Sequence, residues 1–177
     1  MKKIAALVLV GLASTLAPAC FAQESIDPEL FCRTAGKNQS IYQELLLVKA
    51  AAQAGATAGA VACSWTFSRS AGADVLVTLD SKVLKSTLVA RQTILMARLP
   101  ENHRGKSVEP LPRMGDDGLS RATKENGALT LFEIEAVKGQ RHFLLAVRTR
   151  DGSEINYRIA DASISFLGIG LAALQRL

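Results

Sequence analysis

The sequence is poor in the residues on which most enzyme active sites depend. Its 177 residues include three cysteines, one tryptophan and only two histidines, His103 and His142. No Gly-x-Ser-x-Gly segment occurs. A serine hydrolase needs a nucleophile on a strained turn and a histidine base, and a zinc site needs three or four close ligands. We therefore predict no catalytic residue, no metal site and no cofactor, with His103 in a polar loop and His142 on a strand.

The sequence also lacks long runs of residues with the same charge. The formal net charge is +5, from 21 Lys and Arg against 16 Asp and Glu, and no run of five or six like charges occurs. Such runs are typical of nucleic-acid-binding tails. The composition therefore predicts a mixed, soluble surface and no nucleic-acid partner.

The longest apolar run, at residues 4–16, lies near the N-terminus. It follows Lys2 and Lys3 and precedes a small-residue segment at 17–22. A run of about 13 residues is shorter than the roughly 20 that a membrane span needs, and the three-part layout is typical of a secretory signal peptide. We expect a periplasmic or secreted protein, without a transmembrane span, whose residues 23–177 form a single domain.

Two cleavage sites compete at the end of this signal. Cutting between Ala22 and Gln23 places small residues at the third and first positions before the cut, as signal peptidase requires. Cutting before Cys20 would leave that cysteine to carry a lipid, but the lipoprotein pattern prefers a branched apolar residue where Ala17 stands. We favour the Ala22/Gln23 site, and a lipid anchor on Cys20 is the alternative.

Two cysteines, Cys32 and Cys63, remain after the favoured cleavage. In an oxidising compartment two thiols most simply form one bridge. A redox-active pair would normally show the Cys-x-x-Cys spacing, which is missing. The sequence predicts a structural disulfide between Cys32 and Cys63.

Four segments predict helices. The first begins at Asp27 and Pro28, a capping residue and a favourable first position, and stops at Gly36. Residues 40–43 match a capping box, and the Leu- and Ala-rich stretch after them predicts a second helix to about Gly55. An amphipathic helix is predicted at residues 81–98, and a last helix at 158–177, where Gly168 and Gly170 would allow close approach to a sheet.

Five segments predict strands, at residues 61–67, 73–79, 119–123, 128–137 and 141–149. Their apolar residues tend to recur at every second position, as in antiparallel strands with one buried side. Asn126-Gly127 is a strong hairpin signal between two of them. The elements together predict an α+β fold, an antiparallel sheet of about five strands packed by helices.

Paired carboxylates occur twice, and both pairs have a structural interpretation. Asp116 and Asp117 lie between two glycines, where Asp is favoured because its side chain bonds the turn backbone. Glu133 and Glu135 share one strand face, which we expect to be exposed to water. Neither pair has the spacing of a calcium loop.

Several short motifs resemble the PsbP-like family of small exported α/β domains, in particular its bacterial members. They are Cys32, the Cys63-Ser64-Trp65 segment that opens a strand, residues 114–119 before the second meander, and residues 172–177 at the end of the last helix. The resemblance implies an antiparallel sheet backed by helices and a binding or accessory role. It implies no shared catalytic site, so no functional residue is carried over.

One long segment, residues 100–118, is left without assigned secondary structure. Loops of this length in compact domains are uncommon unless they are functional or disordered. Its basic residues Arg104, Lys106 and Arg113 are therefore candidates for a partner surface. The alternative is a solvated connector that carries one short edge strand.

We expect a non-catalytic binding or accessory protein that recognises another protein or an envelope component through its sheet face or this loop. The alternative is a hydrolase whose residues are spread through the fold, with His103 or His142 as base. The sequence leaves the oligomeric state open.

Overall fold

The computed structural model describes residues 26–70 and 72–175, which form an α+β fold. The helices within these residues are α1 (Pro28–Ala35), α2 (Thr87–Ala97) and α3 (Tyr157–Leu174). The strands are β1 (Leu46–Ala54), β2 (Val61–Ser68), β3 (Val75–Val83), β4 (Ser107–Pro110), β5 (Asp117–Glu125), β6 (Ala128–Lys138) and β7 (Arg141–Thr149). Single 3-10 turns occur at Gln39–Ile41 and Pro100–Asn102.

The strands form one antiparallel sheet in the order β1-β2-β3-β7-β6-β5-β4. It consists of two meanders, β1-β2-β3 and β4-β5-β6-β7, because neighbours in each are joined by hairpins. After β3 the chain crosses the sheet through α2 and returns from the far edge. The meanders meet where β3 pairs with β7, from Val75 opposite Thr149 to Val83 opposite Arg141.

One face of the sheet, here called the inner face, carries the main core. Alternate residues of β2, β3 and β7 point into it, and α1 and α3 cover it. The Trp65 indole lies edge-on to the Phe166 ring, with 5.2 Å between ring centroids. The length and mean hydropathy of α3 would also suit a membrane span. In this fold, however, Phe166, Leu167 and Leu171 of α3 are buried in the core.

The opposite face, here called the outer face, is covered only in part. Helix α2 lies over it with Ala90 and Ile94 buried against Leu119 and Val137. Its other positions on β2, β3 and β7 are small, polar or half-exposed. The sheet thus has one fully packed face and one face on which α2 is the sole helix among the described residues.

The predicted helix at residues 40–55 is wrong, since this segment forms a turn and then edge strand β1. The Tyr42 side chain is buried: its ring lies 4.9 Å from that of Phe67 between centroids, and its hydroxyl is 2.9 Å from Ser163 Oγ. This anchor holds the chain in a turn. From Leu46 onward, pairing with β2 overrides the helix propensity of the alanines. Ala50 lies opposite Trp65, and Ala52 lies opposite Cys63.

Other differences from the sequence-based expectation are smaller. The sheet has seven strands where about five were predicted, because β1 and β4 were not assigned. The helix predicted from Ser81 begins only at Thr87, since Ser81–Val83 extend β3 in register with β7. The Asn126-Gly127 turn is confirmed, with positive φ of 53° and 83°. A Cβ on Gly170 would lie 2.9 Å from the Ala35 carbonyl oxygen. This glycine therefore allows the close approach of α1, and not of the sheet as predicted.

Candidate functional site

The predicted disulfide is confirmed. Cys32 and Cys63 are bonded, with their Cα atoms 5.5 Å apart, and the bridge joins α1 to β2. Both residues are buried on the inner face, beside Trp65. Position and burial make this a structural bridge within the core.

The cleavage-site residues Ala22 and Gln23, and Cys20 with them, lie outside the described residues. The buried disulfide is consistent with an oxidising compartment. Export itself stays a prediction from the sequence.

The three basic residues predicted as a partner surface have different surroundings. Lys106 is half-buried and its Nζ lies 2.5 Å from Glu133 Oε2. Arg104 and Arg113 are exposed. Between them, β4 pairs with β5 as an edge strand, from Ser107 opposite Ala122 to Pro110 opposite Leu119. The middle of the segment is therefore an edge strand, which agrees with the connector interpretation, and Arg104 and Arg113 are its basic residues without a salt bridge among the described residues.

The structural interpretation of Asp116 and Asp117 is confirmed for Asp117 alone, whose Oδ1 accepts a hydrogen bond from the Gly118 amide at 2.9 Å, whereas the Asp116 side chain bonds the turn between β6 and β7. Asp116 accepts hydrogen bonds from Lys138 Nζ and from the Gly139 amide, each at 2.7 Å, and these bonds lower the pKa of its carboxyl. Asp117 forms a salt bridge with Arg98, the residue that caps the C-terminal end of α2. The two carboxylates have separate partners and do not form a joint site.

The expectation that Glu133 and Glu135 face water is wrong. They do share the outer face, but Glu135 is only 6% exposed. His142 Nε2 donates to Glu135 Oε1 at 2.7 Å, and Arg121 Nη2 pairs with Glu135 Oε2. The three side chains come from adjacent strands β5, β6 and β7 at diagonal positions, so only the register brings them together.

The buried Glu135 carboxylate has a charged or hydrogen-bonding partner at each of its two oxygen atoms. Burial alone would raise the pKa of Glu135, but the hydrogen bond from His142 and the charge of Arg121 outweigh burial, so the pKa lies below its usual range. Glu135 orients the imidazole as a carboxylate does in a catalytic triad. Among the described residues, however, no hydroxyl or thiol hydrogen-bonds to His142. The other histidine, His103, bonds the Arg98 carbonyl oxygen at 2.9 Å.

Helix α2 has more exposed large apolar residues than any other described element, although the single most exposed one is Leu46 of β1, at 74%. Its outward side exposes large apolar residues, with exposed fractions of 66% for Leu88, 55% for Leu95 and 56% for Met96. Leu99, two residues after the end of α2, is also exposed, with an exposed fraction of 36%. Such exposed apolar patches on soluble domains commonly mark interaction sites.

The helical pattern at residues 81–98 predicted that Leu88 and Leu95 would pack on the sheet. They face away from it, because α2 carries two apolar sides. Ala90 and Ile94, four residues apart, form the side that is buried, and Arg98, four residues further, reaches Asp117. The signal in the sequence was the absence of a polar side on this helix.

We call the surface formed by Leu88, Leu95, Met96 and Leu99 the α2 surface. The charged residues closest to it in the sequence are mainly basic. Lys85 and Arg91 are exposed beside it, and α2 contains no acidic residue. Two exposed acids lie nearby: Glu101 in the following 3-10 turn, and Asp116, whose carboxylate is close enough to Arg91 to be affected by its charge. The α2 surface therefore combines apolar side chains with the basic groups of Lys85 and Arg91.

No protein-family model matches the chain, and neither the curated proteins nor the solved structures include a match. The resemblance to the PsbP-like family accordingly stays a prediction from the motifs.

Proposed function

We propose that the protein is an exported, non-catalytic binding or accessory protein that recognises another protein or an envelope component through the α2 surface. The observation that carries this proposal is the exposure of Leu88, Leu95 and Met96 on a helix whose other side is already packed. Burying one such side chain contributes about 1.5–3 kcal/mol. Three of them together supply enough free energy for reversible docking.

The charges favour an anionic envelope surface over a protein as the partner. Lys85 and Arg91 flank the apolar residues, and α2 carries no acid that would be repelled by anionic headgroups. Each basic residue near an anionic bilayer contributes about 1 kcal/mol. A helix that lies flat on the fold and presents apolar and basic groups suits the interface of a bilayer.

The test is flotation of residues 23–177 with lipid vesicles. We expect binding to vesicles that contain phosphatidylglycerol and none to vesicles of phosphatidylcholine alone. Replacing Leu88, Leu95 and Met96 by Ser should abolish flotation. The matched control replaces Leu46 and Val48, two exposed apolar residues of β1, by Ser, and should float like the parent. Loss of flotation in the control, or flotation of the α2 variant, would contradict docking through α2.

A protein partner gives a different result. The parent then fails to float but retains one stoichiometric periplasmic protein in a pull-down, and the α2 variant loses it. The hydrolase alternative is favoured by one observation, the orientation of His142 by Glu135. It predicts turnover of envelope substrates that is lost in His142→Gln and kept in the α2 variant.

A further inference from the structure

A cavity of about 400 Å³ opens at the end of the sheet where β2 leads into the loop before β3. The start of α3 forms one wall and the turn before β1 forms another. Its lining includes Tyr42, Leu45, Arg69, Asn156, Arg158 and Ile159. The cavity lies apart from the α2 surface, whose residues do not line it.

Arg69 is the unusual residue of this cavity. Its Nε and Nη2 atoms are covered from solvent and have no hydrogen-bond partner among the described residues. Buried donors without a partner cost free energy, and charged donors cost more. Nε and Nη2 form the edge of the guanidinium that donates two parallel hydrogen bonds to a carboxylate or a phosphate. The missing partner therefore has the chemistry of an oxyanion.

The other walls include one further cation, Arg158, and one acid, Glu44. Arg158 is highly exposed, and its contact with Glu44 is long at 3.5 Å, so water screens this pair and the guanidinium is free to turn to a ligand. Asn156 begins α3, whose N-terminal end carries the positive end of the helix dipole. Leu45 and Ile159 add partly buried apolar surface. The Tyr42 hydroxyl is engaged by Ser163, so it serves packing.

We propose that this cavity binds a small anion that combines a carboxylate or phosphate group with an apolar body. The oxyanion pairs with the Nε and Nη2 edge of Arg69, and Arg158 neutralises its remaining charge. Because the two nitrogen atoms are covered, the Arg69 side chain turns about its last torsions to meet the ligand. Leu45 and Ile159 contact the apolar part.

Calorimetric titration with phenyl phosphate, benzoate and benzyl alcohol tests this proposal. We expect binding of one or both anions and none of the neutral alcohol, and the stronger anion identifies the group that the site prefers. Arg69→Gln should weaken the binding by about tenfold or more, because a charge-assisted pair is lost. Arg33→Gln removes an exposed charge of α1 that does not line the cavity, and should bind like the parent.

A second measurement separates binding from folding. Since Nε and Nη2 of Arg69 have no hydrogen-bond partner among the described residues, Arg69→Gln should leave the unliganded melting temperature unchanged or raise it, whereas a structural arginine would lower it. Equal affinity of Arg69→Gln and the parent, or no binding of either anion, would overturn the proposal. The α2 variant should bind the anion normally, so failure of the docking function and failure of this site give different results.

Discussion

The two faces of the sheet are built from different chemistry. The inner face packs Trp65, Phe166 and the disulfide under two helices, and nearly all its strand residues are apolar. The outer face buries a small apolar cluster around Ile94 and a carboxylate, Glu135, that is paired with Arg121 and His142. It leaves one side of α2 exposed. The difference indicates that the inner face supplies most of the stability, while the outer face is where the proposed partner would have access.

The largest expected effect is a cavity in the inner face. Trp65→Ala removes a side chain that is only 2% exposed, and should lower the free energy of unfolding by about 3–5 kcal/mol. The matched control is Thr66→Ala, the next residue, which points to the outer face and should change stability by less than about 0.5 kcal/mol. Urea unfolding followed by tyrosine absorbance and circular dichroism measures both. Equal losses in the two variants would erase the contrast between the faces.

The next effect concerns the bridge that secures α1 to the inner face. Replacing both Cys32 and Cys63 by Ser should cost about 2–4 kcal/mol, because the unfolded chain loses its cross-link over a separation of 31 residues. Reduction of the parent protein should shift its urea midpoint to that of the double variant. A parent protein that is insensitive to reduction, or free thiols in unreduced peptides by mass spectrometry, would show that the bridge does not stabilise this face.

An intermediate effect, dependent on pH, is expected from the outer face. Glu135→Gln removes the charge that His142 and Arg121 share, and should cost about 1–3 kcal/mol at neutral pH. The folded pKa of Glu135 is lowered, so the folded state binds its proton less readily than the unfolded chain. Its stabilisation is therefore present above the unfolded value of about 4.3 and is lost as pH falls through the folded pKa.

Urea midpoints of the parent and Glu135→Gln should accordingly converge as the pH is lowered. Glu133→Gln serves as the control on the same strand face, where the carboxylate is less buried and has Lys106 alone as its charged partner. A stability difference for Glu135→Gln that stays constant down to acidic pH would mean that shape, and not charge, matters at this position.

Replacing two glycines of α3 should give effects of opposite sign, and the effect at Gly168 should be the smallest of all. Gly168→Ala adds a methyl group at ordinary distance from Met114, and should stabilise by about 0.5–1 kcal/mol through helix propensity. Gly170→Ala places the methyl group 2.9 Å from the Ala35 carbonyl oxygen. It should destabilise by about 1–3 kcal/mol, because backbone must move. Melting temperatures that shift in the same direction would show that α1 and α3 are not held closely on the inner face.

Elements with strong local signals were predicted well. The helix start at Asp27 and Pro28, the Asn126-Gly127 turn and the alternation along β7 each depend on residues close in sequence, so they could be recognised there. Strand β1 was missed because alanines prefer helices in isolation, and the partner that decides otherwise is β2. Strand β4 was expected only as a short edge strand somewhere in the connector at residues 100–118, because four residues carry too little pattern to set its bounds.

The candidate sites depended more on tertiary structure. Arg104, Lys106 and Arg113 could be singled out from composition, but the pairing of Lys106 with Glu133 required β4 and β6 to be placed in one sheet. The orientation of α2 could not be read from its sequence, because both sides of this helix are apolar. Arg69 gave no signal, since a single arginine in a turn is ordinary until its surroundings are known.

The sequence by itself predicted the α+β class and the order of most elements, because local patterns set local structure. It also predicted the pairing of Cys32 with Cys63, because loss of Cys20 with the expected signal peptide would leave two cysteines, which allow one bridge. Only the tertiary structure decided which side of α2 is exposed and that Glu135 is buried with His142 and Arg121. It also decided that Arg69 lines a cavity and that its covered Nε and Nη2 atoms have no partner within the described part of the chain. These features arise from strand register and helix packing. Register and packing join residues that are distant in the chain, and no local pattern records them.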